Sequence, residues 1–169
     1  MPPRIKTVAS ITIEKFFESH ADALGLSLLG KRVGFDRLIG EPAMNRPGLA
    51  LAGFFSYFAK KRVQVLGNSE LAYLKKLPEA MRVDRFRRMC DRDIPCVVVA
   101  RGSSLDDSLI AVANEKSIPV LSTSQVTMNF LNAATLALSH DFAATKSEYG
   151  SMVDILGVGT LIRGSSGIG

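Results

Sequence analysis

The sequence predicts an α/β domain of three layers, in which crossover helices cover both faces of a mostly parallel sheet. The first observation is order: from residue 63 onward, short apolar runs alternate with longer segments of helical pattern. The second is the run IPCVVVA at 94–100, whose continuous apolar character is typical of a strand covered on both faces. Strands that alternate with helices pair in parallel through right-handed crossovers.

The segment before residue 63 predicts a helix, a strand and a second helix. Residues 12–26 begin with Thr12, a residue type that caps helices, and continue with apolar residues at helical spacing. The short apolar run 26–30 ends in glycine and predicts a strand. After a turn marked by Pro and Gly, apolar residues recur at i, i+3, i+4 and i+7. One buried helical face is therefore expected to contain Leu51, Phe54, Phe55 and Phe58.

The remaining elements alternate regularly up to residue 140. Strands are predicted at 63–67, 94–100 and 118–122, and helices at 69–91, 104–116 and 124–140. Asn68 is expected to cap the first of these helices, which Pro78 either breaks or divides into two. Ser104 and Asp107 have the spacing of a capping box for the second. One side of the third is expected to contain Val126, Phe130, Leu131 and Ala134.

Three regions follow from this pattern. Residues 1–140 are predicted to form the α/β domain, and the small and polar residues 141–150 a linker. Residues 151–169 begin with two short apolar runs joined by Gly157-Val158-Gly159, which predicts a β-hairpin. Because the hairpin follows a linker, we expect it to belong to another domain.

Composition limits the class of protein. The 169 residues are 47% hydrophobic, with 21 basic and 16 acidic side chains and a net charge of +5. No apolar run is long enough to span a bilayer, and the start has no apolar segment of signal-peptide type, so we expect a cytoplasmic protein without a membrane partner. The arginines of residues 82–92 alternate with aspartates, which favours a solvated helix face over a nucleic-acid surface.

Few side chains of residues 1–140 suggest chemistry. Cys90 and Cys96 form no C-x-x-C pair and are expected to be buried, inert thiols rather than zinc ligands. The pair Asp106-Asp107 is interpreted as helix capping rather than as a metal site. The pair His140-Asp141 is interpreted as a helix end rather than as a catalytic pair.

The last residues contain a phosphate-loop pattern. Gly164-Ser165-Ser166-Gly167-Ile168-Gly169 fits the first six positions of G-x-x-x-x-G-K-[ST]. In such a loop, backbone N–H groups approach the phosphates, and the Lys and the hydroxyl complete the site. The preceding residues 160–164 supply the strand that the loop requires. Taken alone, the six residues favour the alternative of a flexible Gly/Ser tail.

Longer sequence segments favour the phosphate loop over the flexible tail. The segments NRPGLALAGFFSYF and RVQVLGNSELAYLKKLP, followed by IPCVVVARG and IPVLSTSQVT, resemble the amino-terminal domain of the bacterial HPr kinase/phosphorylase family (HPr serine kinases). The family continues with G-x-G-x-L-I-x-G-x-S-G-x-G-K-S, which this sequence matches from Gly157 to Gly169. The chain therefore resembles a family member cut one residue before the catalytic lysine of its phosphate loop.

The resemblance implies a protein kinase as the parent. The parent would phosphorylate a serine of HPr, the phosphocarrier of the sugar phosphotransferase system, with ATP or pyrophosphate, and would reverse this by phosphorolysis. It would use Mg²⁺ and assemble as a homo-hexamer. Residues 164–169 would contact the ATP phosphates. The chain itself is expected to be inactive and to bind no cofactor, because the Lys and the Ser/Thr are absent.

Two positions near the hairpin match functional positions of the family. Tyr149 stands where the family usually has a His beside its active site, and a Tyr does not change charge near neutral pH. Asp154 matches a family Asp whose role, structural or chemical, stays open. The family's amino-terminal fold is shared with uridine-nucleotide-binding domains of peptidoglycan-precursor ligases. The alternative function is therefore a nucleotide or small-ligand sensor in a homologue whose target is not HPr.

Overall fold

The computed structural model describes residues 5–6, 8–143, 145–146 and 151–162 of the chain. These residues divide into two compact units. One unit spans Val8–Phe142, and the other contains the remaining described residues. The α/β architecture lies in the first unit.

Strands and helices alternate along most of the chain. The strands are β1 (Ile5–Lys6), β2 (Ile11–Thr12), β3 (Leu26–Leu28), β4 (Leu38–Ile39), β5 (Met44–Asn45), β6 (Val63–Leu66), β7 (Val97–Val99), β8 (Val120–Thr123), β9 (Thr145–Lys146), β10 (Ser151–Ile155) and β11 (Val158–Ile162). The helices are α1 (Ile13–Leu24), α2 (Gly48–Leu51), α3 (Asn68–Lys76), α4 (Glu79–Cys90), α5 (Asp107–Glu115) and α6 (Thr127–Phe142).

A five-stranded sheet in the order β3-β8-β7-β6-β5 forms the centre of the first unit. The strands from β5 to β8 are parallel, and each lies beside the strand that follows it along the chain. β3 is the exception, because it pairs antiparallel with β8, with Leu26 opposite Thr123. The predicted mostly parallel sheet with crossover helices is confirmed.

Two hydrophobic cores lie on opposite faces of this sheet. The first core joins α1 and α6 to alternate strand residues and includes Phe16, Phe130, Leu138, Val65 and Val98. The second core joins α3, α4 and α5 to the other strand residues and includes Leu74, Phe86, Leu109, Val97 and Val99. Successive strand residues point to opposite faces. The continuous apolar run of β7 is therefore explained by a sheet that is covered on both sides.

The first helix begins and ends at signals that the sequence contains. The hydroxyl of Thr12 accepts a hydrogen bond from the backbone N–H of Lys15 at 3.2 Å, which caps α1. Gly25 ends the helix in the left-handed conformation, with φ of 61°. β2 pairs with β4 immediately before the helix, with Ile11 opposite Ile39.

The second unit contains the predicted hairpin. β10 and β11 pair antiparallel, with Ser151 opposite Ile162 and Ile155 opposite Val158. Leu156 and Gly157 form the turn, and both have positive φ. β9, which lies within the predicted linker, pairs antiparallel with β1.

The helix predicted after Pro47 is shorter than its apolar spacing indicated. α2 is a single turn, and Gly53 follows it with φ of 101°. Because this turn breaks the helical period, the prediction is correct for buried Leu51 and wrong for Phe54, whose side chain is 56% exposed. Phe55 and Phe58 are partly buried against the second core and contact each other edge to face.

The starts of three later helices also differ from the prediction. Gly67 rather than Asn68 is the residue before α3, and Asp106 rather than Ser104 precedes α5. The capping box predicted from Ser104 and Asp107 is absent, because α5 begins at Asp107 and its N-cap residue is Asp106. The Asp106 side chain makes no capping hydrogen bond and pairs with Arg82. Val126 lies before α6 and is exposed, so it does not belong to the buried side. The break at Pro78 gives two helices, α3 and α4.

Candidate functional site

The loops at the carboxyl ends of the four parallel strands lie at one edge of the sheet, which we call the carboxyl edge. In open α/β sheets, ligands bind outside this edge. Its loops contain small and polar residues, namely Arg46 after β5, Gly67 after β6, residues 101–104 after β7 and residues 124–125 after β8. The carboxyl edge is therefore the candidate functional site of the first unit.

An ion pair joins the first two of these loops. Nη2 of Arg46 lies 2.6 Å from Oε2 of Glu70, in the first turn of α3. The same carboxylate oxygen accepts a hydrogen bond from the backbone N–H of Gly67 at 2.9 Å. The Glu70 side chain is 5% exposed and that of Arg46 is 40% exposed. A buried carboxylate is thus held at a helix N-terminus, where the backbone dipoles favour negative charge.

Three chain segments approach one another at Gly67. A Cβ at this position would lie 2.9 Å from Oγ1 of Thr127 and 3.0 Å from Nη2 of Arg46. The φ of Gly67 is −102°, which other residues adopt freely, so the glycine is required by space rather than by backbone conformation. Thr127 is buried and is the first residue of α6. Gly67 therefore connects the loops after β5, β6 and β8.

The side-chain amides of Asn45 and Gln64 are hydrogen-bonded to each other. Gln64 of β6 is fully buried, and its Oε1 accepts a hydrogen bond from Nδ2 of Asn45 at 2.7 Å. Its Nε2 donates to the carbonyl oxygens of Ala59 and Arg62, at 3.0 and 2.7 Å. The bond from Asn45 adds a side-chain link between the edge strand β5 and β6, directly before Arg46.

The loop after β7 is held by its backbone. The N–H of Arg101 donates to the carbonyl of Gln125 at 2.9 Å, and that of Gly102 donates to the carbonyl of Thr123 at 2.8 Å. Both residues have positive φ. The side chains of Arg101 and Ser104 are exposed. The loop therefore presents a guanidinium and a hydroxyl to solvent from a fixed backbone.

A shallow, open groove lies between α3 and the start of α5. Its lining combines leucines with a few polar residues, and consists of Leu71, Leu74, Lys75, Ser104, Leu105, Asp106 and Leu109. The carboxylate of Asp106 pairs with Arg82 of α4. The groove thus has an apolar floor and a rim of mixed charge.

The two cysteines are buried in different cores, as the sequence predicts. Burial raises the pKa of the Cys90 thiol to about 12 and that of the Cys96 thiol to about 12. A thiol reacts through its thiolate form. Both groups are therefore inert near neutral pH in the folded protein.

The structure describes part of the predicted site. Asp154 lies in the hairpin, where its Oδ1 accepts a hydrogen bond from the backbone N–H of Gly157 at 2.7 Å. This contact gives Asp154 a structural role in the turn. Tyr149 and the loop residues Gly164, Ser165, Ser166, Gly167, Ile168 and Gly169 lie outside the described residues.

His140 and Asp141, which are adjacent in the chain, do not pair with each other in the structure. Asp141 bonds to Nε2 of His20 on α1 at 2.7 Å, whereas His140 is exposed. Within the described residues, no group of three or more His, Cys, Asp or Glu side chains could hold a metal ion. The carboxylates of the carboxyl edge, Glu70 and Asp106, are each paired with an arginine.

The comparison with protein families identifies this α/β unit. The sequence model of the family described as "HPr Serine kinase N terminus" matches residues 11–138, from β2 through most of α6. The chain belongs to this family. The resemblance inferred from the sequence segments is confirmed over these residues. In the described part of the chain, no helix is long and apolar enough to cross a membrane.

The fold of this HPr serine kinase amino-terminal domain is similar to a solved structure. That structure contains the CBS and DRTGG domains of the regulatory region of Clostridium perfringens pyrophosphatase, complexed with the activator diadenosine tetraphosphate. The TM-score is 0.55 at 12% identity, and the alignment covers 79% of this chain and 52% of that chain. The chain therefore spans about half the length of that structure. At this identity the likeness shows the fold.

Sequence reasoning did not predict the contacts of the carboxyl edge. Glu70 follows Gly67 by three residues, which is the spacing at which a carboxylate reaches back to a cap N–H. That spacing was an available signal. No sequence signal indicates the close approach of Gly67 to Thr127, because it depends on the strand order that brings β6 and the start of α6 together.

Proposed function

We propose that this chain is the amino-terminal assembly and regulatory domain of an HPr serine kinase/phosphorylase. The whole protein would transfer a phosphoryl group from ATP or pyrophosphate to a serine of HPr and would reverse the transfer by phosphorolysis. The family match over residues 11–138 carries this proposal. The sequence from Gly157 to Gly169, with the pattern of a strand that leads into a phosphate loop, supports it.

The paired charges of the first unit support a non-catalytic role. A general base needs a free oxygen or nitrogen within reach of the substrate proton. At the carboxyl edge, Glu70 and Asp106 are each bonded to an arginine instead. Phosphoryl transfer would take place in the kinase domain, where ATP and Mg²⁺ would bind and where backbone N–H groups of residues 164–169 would contact the phosphates.

A hybrid protein tests this proposal. Residues 1–169 are joined, at Gly169, to the remainder of the kinase domain of an HPr serine kinase, and the hybrid is incubated with HPr, ATP and Mg²⁺. Mass spectrometry is expected to find one phosphoryl group on a serine of HPr. A matched hybrid without residues 8–142 is expected to differ in assembly or in its response to effectors. If the two hybrids behave alike in both respects, the regulatory role is wrong.

The carboxyl edge favours a second candidate, a sensor of nucleotides or other phosphorylated ligands. Arg101 is exposed and Arg46 is 40% exposed, so two guanidinium groups are accessible at the edge where such folds bind ligands. The similar fold from the pyrophosphatase was solved with diadenosine tetraphosphate. Saturable stabilisation by one such compound, measured by thermal unfolding and lost in Arg101→Ala, is the expected result for a sensor.

A further inference from the structure

Residues 49–61, which we call the aromatic segment, expose large side chains that lie outside both cores. Leu49 is 71% exposed, Phe54 is 56% exposed and Tyr57 is fully exposed. The backbone N–H of Phe54 donates to the carbonyl of Leu49 at 2.9 Å, so these two residues are neighbours in space. Exposed apolar side chains that lie together mark interaction sites, whereas single ones do not.

Tyr57 has a conformation and an exposure that folding does not explain. Its φ is 59°, which bulky residues rarely adopt, and glycine would adopt it without strain. Because the side chain is fully exposed, it adds no buried surface that would offset this strain. Strained residues of this kind cluster at sites that bind or react. Tyr57 is therefore placed for contact with another molecule.

The aromatic segment also carries positive charge without counterparts. Between Glu41 and Glu70 the sequence contains four basic residues and no acidic one. Two of the four basic residues are paired with these flanking glutamates. The other two, Lys60 and Lys61, are exposed and form no ion pair among the residues that the structure describes.

Two further arginines, one on α4 and one just after it, lie against the same segment. Nη1 of Arg85 donates to the carbonyl oxygen of Ala52 at 3.3 Å, and the guanidinium of Arg92 lies 4.3 Å from the centre of the Phe55 ring. In the described part of the chain neither arginine is paired with a carboxylate, and Nε of Arg85 has no hydrogen-bond partner. Phe54 lies between these two contacts in the chain.

The aspartates beside these arginines in the chain do not neutralise them. Asp84, Asp91 and Asp93 are each paired with another basic side chain. The surface therefore combines exposed aromatic side chains with guanidinium groups that lack an anionic partner.

We propose that the aromatic segment, together with Arg85 and Arg92, is a docking surface for an acidic segment of a partner protein. An apolar side chain of that segment would pack against Phe54 and Tyr57, and the carboxylates that flank it would accept hydrogen bonds from the two arginines. Guanidinium groups bind carboxylates through two parallel N–H···O bonds. Tyr, Phe and Arg are also the residue types that are enriched in protein interfaces and their hot spots.

The way the arginines are held favours a protein over other anionic partners. Arg92 lies over an aromatic ring and Arg85 packs against Gly53, so both guanidinium groups have set positions. Such groups suit the directional recognition of single carboxylates. Adsorption to an anionic membrane depends instead on clusters of 4–8 basic residues that act through charge alone. A nucleic acid would bring its closely spaced phosphates past Asp84 and Asp93.

This inference goes beyond the proposed kinase role and does not rest on it. Its test measures binding alone and does not involve phosphoryl transfer. The docking surface and the kinase assignment can therefore fail separately.

The experiment uses the full chain and a fluorescein-labelled peptide that carries two glutamates on each side of a Phe-Leu pair. Fluorescence polarisation is expected to show saturable binding with a dissociation constant below about 1 mM. Two control peptides have Gln in place of Glu, or Ser in place of Phe and Leu. Both are expected to bind about tenfold more weakly or less, because the surface recognises charge and apolar contact together.

Three variants locate the binding site. Tyr57→Gly is expected to raise the dissociation constant about tenfold and to leave the melting temperature nearly unchanged, because relief of the strain offsets the added freedom of the unfolded chain. Arg92→Gln is expected to raise the dissociation constant by a similar factor of about ten and to reduce its dependence on salt. Arg101→Gln removes the same charge from an exposed arginine outside the surface and is expected to leave binding unchanged.

Several results would overturn the proposal. The surface does not recognise acidic segments if the glutamate peptide fails to bind, or if the glutamine peptide binds as tightly. Only the net charge matters if Arg101→Gln weakens binding as much as Arg92→Gln. A membrane or a nucleic acid is the partner instead if vesicles with phosphatidylserine or an oligothymidylate bind more tightly than the peptide and lose binding in Tyr57→Gly. A clear fall in melting temperature for Tyr57→Gly would show that this residue serves the fold.

Discussion

Nη2 of Arg46 lies 2.6 Å from a carboxylate oxygen of Glu70, and this pair joins the loop after β5 to the first turn of α3. Arg46→Ala removes the cation from a carboxylate that is 5% exposed. We expect the free energy of unfolding to fall by about 1–3 kcal/mol, because a buried charged acceptor loses a partner. Urea denaturation followed by circular dichroism measures the change.

Arg62 and Glu41 provide a matched control for this prediction. Their ion pair is also 2.6 Å long, but the two side chains are 39% and 40% exposed. Exposed pairs contribute about 0–1 kcal/mol, so Arg62→Ala is expected to destabilise the protein less than Arg46→Ala. Equal losses for the two variants would show that burial of Glu70 has no energetic consequence.

Two phenylalanines allow the effect of a buried aromatic side chain to be compared with that of an exposed one. Phe86 of α4 is fully buried, whereas Phe54 is 56% exposed. Phe86→Ala is expected to lower stability by about 3–5 kcal/mol, because it leaves a cavity in the core. Phe54→Ala is expected to change stability by about 0.5 kcal/mol or less. A large loss from Phe54→Ala in thermal denaturation would instead support the longer helix that the sequence spacing predicted.

Because of the two buried thiols, the free energy of unfolding is expected to change with pH in the alkaline range. Burial holds the pKa of Cys90 and Cys96 at about 12 in the folded protein, against an ordinary value of 9.0. The unfolded chain releases these protons at lower pH than the folded one. The stabilising contribution is therefore complete below about pH 9 and is lost as the pH rises towards 12.

Urea unfolding at a series of pH values measures this loss, and the double variant Cys90→Ala, Cys96→Ala is the control. The free energy of unfolding of the unsubstituted chain should fall more steeply above pH 9 than that of the control. A thiol-specific reagent should react only on unfolding. Rapid reaction of either thiol in the native protein at neutral pH would contradict the assignment of both as buried and inert.

The hairpin is expected to promote association through its apolar side chains. Ile155 is 52% exposed, Val158 is 65% exposed, and they lie opposite each other in β10 and β11. A two-stranded sheet has two unpaired edges, which invite pairing with another chain. Ile155→Lys with Val158→Lys should reduce light scattering at high concentration and leave the melting temperature unchanged. A marked drop in melting temperature would show that the hairpin contributes to the folded core.

The sequence predicted the elements whose pattern is local. The continuous valines of β7 predicted burial on both faces, and Thr12 predicted the start of α1, because each depends only on residues nearby in the chain. The helix through Phe54 was predicted from spacing alone, and the spacing could not reveal the turn at Gly53, against which Arg85 packs. Local periodicity is overridden there by a tertiary contact.

The candidate site was harder to predict than the fold. Arg46 and Glu70 belong to separate loops, and their contact depends on the parallel pairing of β5 with β6. Asp106 has the residue type of a capping side chain, yet its carboxylate is taken by Arg82 from another helix. Such contacts are properties of strand order and helix packing, which a single sequence specifies only through the complete fold.

The antiparallel pairing of β3 with β8 has a consequence for how the protein is made. The hydroxyl oxygens of Ser27 and Ser122 are 2.8 Å apart, although 95 positions separate them in the chain. At about 5–20 residues per second, roughly 5–20 s of synthesis pass between the appearance of β3 and that of its partner strand. During this time Leu26 has no sheet to join. The β3 segment of the nascent protein is therefore without its strand partner until β8 has been synthesised.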